Sequence, residues 1–209
     1  CNQRIRVFYF EEDVVDVIVK HGFNPASSQN EIDFRGKYSL EFVPSILCVE
    51  NNYYREQIID GTPLPRILNK QVKEKAIEQV KSNILNFDLE NLNYISPKEY
   101  LIGIREFILN KVEVFKDDTL VNKINTLFKH RFDLDSLVNS NYNIPLVVSH
   151  GDLQLGNVWL ENKTNRVLVF DWESADKRSI WYDLYFLDAA KRDEIVFNTV
   201  MLLGITGMS

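Results

Sequence analysis

The chain has 209 residues, 45% of them hydrophobic, with 30 acidic side chains against 24 Lys and Arg and a formal net charge of −6. It is long enough for one domain or two small lobes and apolar enough for a core, while the acidic balance argues against a nucleic-acid partner and suits a cationic or neutral ligand better than a polyanion. Cys1 and Cys48 make neither a disulfide framework nor a metal cluster, and no apolar run reaches membrane-spanning length, so a cytoplasmic protein without a membrane span is expected.

Residues 4–10 (RIRVFYF) are rich in β-formers and read as a strand. The charged turn Glu11, Glu12 and Asp13 leads into a returning strand over 14–20, where five β-branched residues of seven outweigh a helix, and period two puts Ile18 and Lys20 on one face. A loop and a short helix from about Ser27 follow, carrying Glu31. Residues 41–49 and 53–59 read as two more strands joined by a turn at Glu50, Asn51 and Asn52. Asp60, Gly61, Pro63 and Pro65 then break the pattern.

From Arg66 onward the period is helical. Leu68, Val72, Ala76, Val80 and Ile84 fall four apart. Leu101, Ile104, Ile108 and Phe115 form a second stripe opened by Ser96, Pro97 and Glu99, and Leu120, Ile124, Leu127, Phe128 and Phe132 form a third. These stripes read as core. His21 and His130 lie too far from His150 in the chain for metal-site spacing. Trp159, Trp172 and Trp181 read as packing, with Trp172 close enough to Asp171 to line a pocket.

The informative stretch runs from Val147 to Glu173. The apolar run Leu146, Val147, Val148 delivers His150, Gly151 and Asp152 at its end, Asn157 follows five residues after Asp152, and a polar turn over 162–166 joins two short strands, the second ending on Asp171. Phosphoryl transfer asks little covalent work of a protein: a carboxylate to take the proton of the attacking hydroxyl, and oxygen ligands to hold magnesium against the nucleotide phosphates. Asp152 supplies the first, and Asn157 and Asp171 the second. An Asp with an Asn five residues on is common in turns and means little alone. Together with the preceding His-Gly, the hairpin and the Asp-Trp-Glu ending, it means more.

The motifs H-G-D-L-Q-L-G-N, V-F-D-W-E and W-Y-D-L at 181–184 resemble the aminoglycoside phosphotransferase and choline kinase superfamily, whose fold is protein-kinase-like. The resemblance implies a mixed α/β (α+β), two-lobed fold, with a small antiparallel lobe and hinge over 1–60 and a mainly helical lobe over 61–209. It makes Asp152 the catalytic base and Asn157 and Asp171 magnesium ligands. His150 becomes the brace of the catalytic loop and Asp183 the buried acid that ties this loop down, and Glu173 approaches the metal or hydrogen-bonds behind it. It assigns Lys20 to the phosphates with Glu31 as its partner, and it turns 57–59 into the hinge, where backbone groups of Gln57, Ile58 and Ile59 would meet the base. By themselves Lys20 and Glu31 read as surface residues, and 41–59 as a plain hairpin followed by a loop.

The implied activity is transfer of the γ-phosphoryl group of ATP or GTP, with Mg2+, to a hydroxyl of an aminoglycoside, an amino alcohol or a sugar. A protein acceptor fits less well, because H-G-D replaces H-R-D and D-W-E replaces D-F-G. Nothing glycine-rich precedes Arg4, so the strand and loop that close over the phosphates are expected upstream of Cys1. Asp188, Asp193 and Glu194 are weak candidates for binding the acceptor. The alternatives are a nucleotide-binding scaffold that has lost catalysis, and a magnesium-dependent phosphoester hydrolase, which would not need Lys20 and Glu31.

Overall fold

A computed structural model describes residues 4–19, 25–50, 53–113, 116–131 and 143–187. The chain forms two compact units, one of Cys1–Asn91 with Val147–Ala190 and one of Leu92–Leu146 with Lys191–Ser209. The expected mixture of small antiparallel sheets and helices is present.

In the first unit, strands β1 (Arg4–Tyr9), β2 (Val14–Val19), β3 (Ile46–Val49) and β4 (Tyr53–Gln57) make an antiparallel sheet in the order β1-β2-β4-β3. The β1–β2 hairpin pairs Arg4 with Val19 and Tyr9 with Val14, and Asp13 adopts φ 56 in its turn. Lys20 lies outside the described residues. Helix α1 (Pro25–Lys37) buries Ser28, Glu31, Phe34 and Arg35, so its inner face is partly ionic. Period two on β4 turns Tyr54 and Glu56 inward together. Arg35 then joins the two elements: Nη1 is 3.2 Å from Glu31, Nη2 is 2.7 Å from Glu56, and Nε donates to the Pro44 carbonyl at 2.9 Å. Buried charges are tolerable only when paired in this way.

The expected strand over 41–49 is shorter than its sequence pattern. Only Ile46–Val49 pairs, because Phe42, Val43 and Pro44 turn into the core, Val43 N donates to Leu40 O and Pro44 has no N–H for a ladder. The strand over 53–59 stops at Gln57, where Ile58 N instead donates to Asp13 O at 3.0 Å. The Gly-Pro break is also a correction. Gly61–Pro63 forms a short strand, β5, that pairs Gly61 with Glu161 and Pro63 with Trp159, and only then does the chain turn, through a 3-10 turn at Leu64–Arg66.

Helix α2 (Lys70–Asn86) starts at Asn69, whose Oδ1 accepts from Gln71 N at 3.0 Å and Val72 N at 3.2 Å. Leu68 therefore precedes the helix and is 97% exposed, and the four-apart stripe is buried only from Ala76 through Val80 to Ile84.

The second unit opens with a short strand, β6 (Asn93–Ile95), which the sequence did not signal, and continues with α3 (Pro97–Glu113) and α4 (Asp118–Arg131). Ser96 and Glu99 form a reciprocal capping box, the Ser96 hydroxyl accepting from Glu99 N at 3.2 Å and Glu99 Oε2 accepting from Ser96 N at 3.2 Å. Pro97 occupies the first helical position, where a missing N–H costs nothing. Leu101, Phe128 and Ile144 make the core of this unit with Ile104, Ile108 and Ile124 around them, whereas Leu120 and Leu127 of the expected third stripe are exposed. Phe115 and Phe132 lie outside the described residues. Strand β7 (Ile144–Ser149) pairs its first residues with β6, Ile95 opposite Ile144. No described helix is long and apolar enough to cross a membrane.

From Val147 the chain belongs to the first unit again. It runs through a 3-10 turn at Leu155–Asn157, β8 (Val158–Glu161), β9 (Val167–Val169), a 3-10 turn at Trp172–Ser174, β10 (Asp176–Ser179) and α5 (Tyr182–Leu187). β8 and β9 form the hairpin expected around 162–166, with Val158 opposite Val169. Their buried Val158, Val167 and Val169 pack with Leu64, Val80 and Trp172 into the core beneath the site.

Candidate active site

The loop after β7 is held from behind. Both carboxylate oxygens of Asp183, on α5, accept from backbone N–H groups, His150 N at 2.6 Å and Gly151 N at 3.0 Å. Burial pushes the Asp183 carboxyl above the usual range, opposed by these two N–H donors and by the Arg178 guanidinium. The His150 ring is fully buried, with Nε2 2.7 Å from the Phe170 carbonyl and Nδ1 3.2 Å from Asp152 N. A carbonyl can only accept and an N–H can only donate, so the ring is neutral with its proton on Nε2. His150 thereby couples the turn carrying Asp152 to the segment carrying Asp171.

Gly151 has φ +85, and a Cβ there would overlap the Ser174 carbonyl oxygen and come within 2.7 Å of Arg178 Nη1. Arg178 Nη1 also donates to Ser174 O at 2.9 Å and Ser149 Oγ at 3.2 Å, bridging the segments that carry Asp152 and Asp171, a role the sequence did not reveal. Gly151→Ala combines left-handed strain with a clash against backbone and is expected to cost about 1–3 kcal/mol or more. Chemical denaturation would check this, and an unchanged midpoint would count against the tight fit.

Asp152 is half-buried, with Oδ2 accepting from Gln154 Nε2 at 3.2 Å. Asn157 Nδ2 donates to the Asp152 carbonyl at 2.9 Å, which orients the amide and leaves Oδ1 as its acceptor. The Asn157 carbonyl accepts from Phe170 N at 2.9 Å. β9 ends at Val169, two residues short of the expected end, and Asp171 adopts a left-handed conformation, φ 68 and ψ 54. Asp tolerates this region better than most residues. The kink sends Trp172 into the core and leaves the Asp171 side chain 40% exposed. Trp172 is thus core and not pocket wall; Trp159 and Phe170 take that place.

Among the described residues Glu31 pairs with two arginines; Lys20, its expected partner, lies outside them. Arg4 Nη1 lies 2.7 Å from Glu31 Oε2 and 3.2 Å from Asp171 Oδ1, and Arg4 Nη2 lies 2.6 Å from Glu173 Oε2. Arg35 holds the other oxygen of Glu31. Burial raises the Glu173 carboxyl, Asp171 raises it further, and Arg4 opposes both. The one trace of this in the sequence is the alternation Arg4, Arg6, Phe8, which puts all three on one face of β1.

That face looks onto a cleft of about 530 Å³, lined also by Gln57, Ile58, Ile59, Asn157, Asp171 and Glu173. The hinge candidates and the metal-ligand candidates therefore share one cavity. No trio of His, Cys, Asp or Glu among the described residues forms a cage for a metal. The oxygens of Asn157, Asp171 and Glu173 suit magnesium, which binds through one or two carboxylates and completes its shell with phosphates and water, and the Arg4 guanidinium on Asp171 and Glu173 marks where a cation is stabilised. His21, Asp188, Asp193 and Glu194 lie outside the described residues.

No protein-family model matches the chain, and no curated protein matches it in sequence. Solved structures do. A choline/ethanolamine kinase family protein from Mesorhizobium loti superposes with a TM-score of 0.59 at 14% identity, covering 96% of this chain and 67% of that one. The GDP complex of aminoglycoside 2′-phosphotransferase-IIIa gives 0.56 at 13% identity over 97% and 74%. APH(2″)-IIa with gentamicin gives 0.54 at 15% identity over 88% and 64%, and its ternary complex with streptomycin and ATP gives 0.55 at 14% over 88% and 70%. The chain spans about two thirds of the length of the first of these. At such identities the likeness is one of fold: the chain has the two-lobed, protein-kinase-like fold of aminoglycoside phosphotransferases and choline kinase family proteins.

Proposed function

We propose that this protein is a small-molecule kinase that transfers the γ-phosphoryl group of ATP or GTP to a hydroxyl of an aminoglycoside, an amino alcohol or a sugar. The observation that carries the reading is the single cleft shared by Gln57, Ile58 and Ile59 with Asn157, Asp171 and Glu173, joined to Asp152 through the Asn157 amide. Neighbours of the same fold act with such partners: one is solved with GDP, another with ATP and streptomycin.

In this reading Asp152 accepts or orients the proton of the attacking hydroxyl, and its half-buried carboxylate is held by a loop that Asp183 and His150 fix in place. Asn157 Oδ1 and Asp171 would hold one or two magnesium ions, with Glu173 beside them. When bound, the metal neutralises charge on the transferring phosphates. Of the hinge residues, Ile58 has its N–H committed to Asp13, so the base is held through the remaining backbone groups of 57–59. Residues 1–60 act as the nucleotide-side lobe, with Lys20 reaching the phosphates by family resemblance and Glu31 holding Arg4 in the same cleft. A cytoplasmic location supplies the nucleotide, and no nucleic-acid partner is involved.

The experiment is magnesium-dependent thermal stabilisation by ATP, GTP and their non-hydrolysable analogues, followed by release of the diphosphate with aminoglycosides, amino alcohols and sugars. A metal-dependent shift with turnover on one acceptor class supports the proposal. Nucleotide binding without turnover on any class would favour the lapsed scaffold, and no nucleotide binding would refute the kinase reading.

A further inference from the structure

We propose that Arg4 is a positioning residue that occupies Asp171 and Glu173 in the nucleotide-free protein and moves to the nucleotide phosphates on binding, so that the metal enters with the nucleotide and not before it. The inference rests on the kinase reading above. It starts from a crowding of charge: Glu31, Asp171 and Glu173 converge on one guanidinium whose side chain is only 6% exposed. Carboxylates crowded together, one of them the buried Glu31, need a cation or a proton, and Arg4 is the cation against the two acids nearest the proposed metal.

A magnesium ion bound by Asp171 would stand about 2.0–2.1 Å from its oxygen, on a carboxylate whose Oδ1 already has Arg4 Nη1 at 3.2 Å. Two cations converging on the same carboxylate repel each other. Metal alone must therefore compete with an arginine that Glu31 holds in place at 2.7 Å.

A triphosphate removes the conflict. The planar guanidinium suits phosphate oxygens in the same forked geometry as carboxylates, and Arg4 shares the cleft wall with Arg6 on the same face of β1. Glu31 is buried on the rigid helix α1 and also tied to Arg35, so it can keep one nitrogen of Arg4 while the rest of the fork turns to the phosphate. Asp171 and Glu173, relieved of Arg4, then become ligands. The acids that bind metal and the arginine that binds phosphate neutralise each other until the nucleotide arrives.

The test is calorimetric titration of the full chain and of Arg4→Met with Mn2+ alone and with ATP in the presence of Mg2+. Arg4→Met should bind Mn2+ at least about tenfold more tightly than the wild type without nucleotide, and bind MgATP at least about tenfold more weakly. Unchanged or weaker Mn2+ binding by a folded Arg4→Met protein overturns the inference even if MgATP binds the wild type normally. Failure of the wild type to bind MgATP overturns both the inference and the kinase reading. Because Arg4→Met leaves buried Glu31 with one partner fewer and can unfold the protein, a second readout uses the wild type. The Arg4 side-chain Nε–H resonance, identified by its loss in Arg4→Lys, should shift with ATP in the presence of a chelator and stay unmoved by Mg2+ alone; the reverse pattern overturns the proposal.

Discussion

Asp152→Ala is expected to lower turnover by roughly 10²–10⁴-fold, the usual contribution of a positioned general base, while leaving the dissociation constant for MgATP close to that of the wild type. The separation follows from geometry. Asp152 meets its neighbours through backbone groups, which the substitution keeps: its N–H to His150 and its carbonyl to Asn157. Its carboxylate contacts Gln154, so the loop should hold its shape without it. Asp171→Ala should behave differently, because Asp171 lines the cleft. There both the metal-dependent nucleotide affinity and the turnover should fall. Steady-state kinetics on the acceptor found by screening, paired with calorimetry, decides the matter. Equal loss of MgATP binding in the two variants would sink this division of labour.

Trp172→Ala is expected to produce the largest loss of stability of any single substitution proposed, about 3–5 kcal/mol. Trp172 is fully buried, stacks on Phe34 of α1 with ring centres 4.1 Å apart, meets Phe87 edge-on at 6.1 Å and donates from Nε1 to the Val169 carbonyl at 2.9 Å. Truncation would leave a cavity at the crossing of α1, the end of α2 and the hairpin, and would orphan that carbonyl. It would also free the segment between Asp171 and Glu173, so metal-nucleotide affinity should drop with stability. Trp172→Phe keeps the stack, loses the hydrogen bond and should cost clearly less. Equilibrium denaturation of the three proteins provides the check; equal midpoints for Trp172→Ala and the wild type would show that the stack carries no weight.

These expectations draw on two kinds of information. The hairpin of β8 and β9, the strand leading to His150 and the helices capped at Asn69 and Ser96 all reflect short-range patterns: alternation, a polar turn, and a capping residue before an apolar stripe. Where one local pattern misled, a neighbouring cap or a longer-range demand had won. Phe42 and Val43 look like strand residues, but the core takes their side chains and Val169 N takes the Phe42 carbonyl. Leu68 fits the four-residue spacing of α2, but the cap at Asn69 leaves it outside the helix. Gly61–Pro63 reads as a break and is instead an edge that β8 completes from about a hundred residues away.

That a small antiparallel sheet precedes a helical region was legible in the sequence, as was the order and spacing of His150, Asp152, Asn157 and Asp171 on which the proposed phosphoryl-transfer loop rests, because strand period, turn chemistry and residue spacing are properties of neighbours in the chain. The folded chain was needed to show that the carbonyl of Phe170 fixes the His150 tautomer and that Glu31 meets Arg4. Arg4 and Asp171 are 167 residues apart, and no local periodicity encodes a contact at that distance. It arises where the face of β1, the inner face of α1 and the left-handed kink at Asp171 converge, and there the need to neutralise converging carboxylates, Glu31 buried among them, selects the partner.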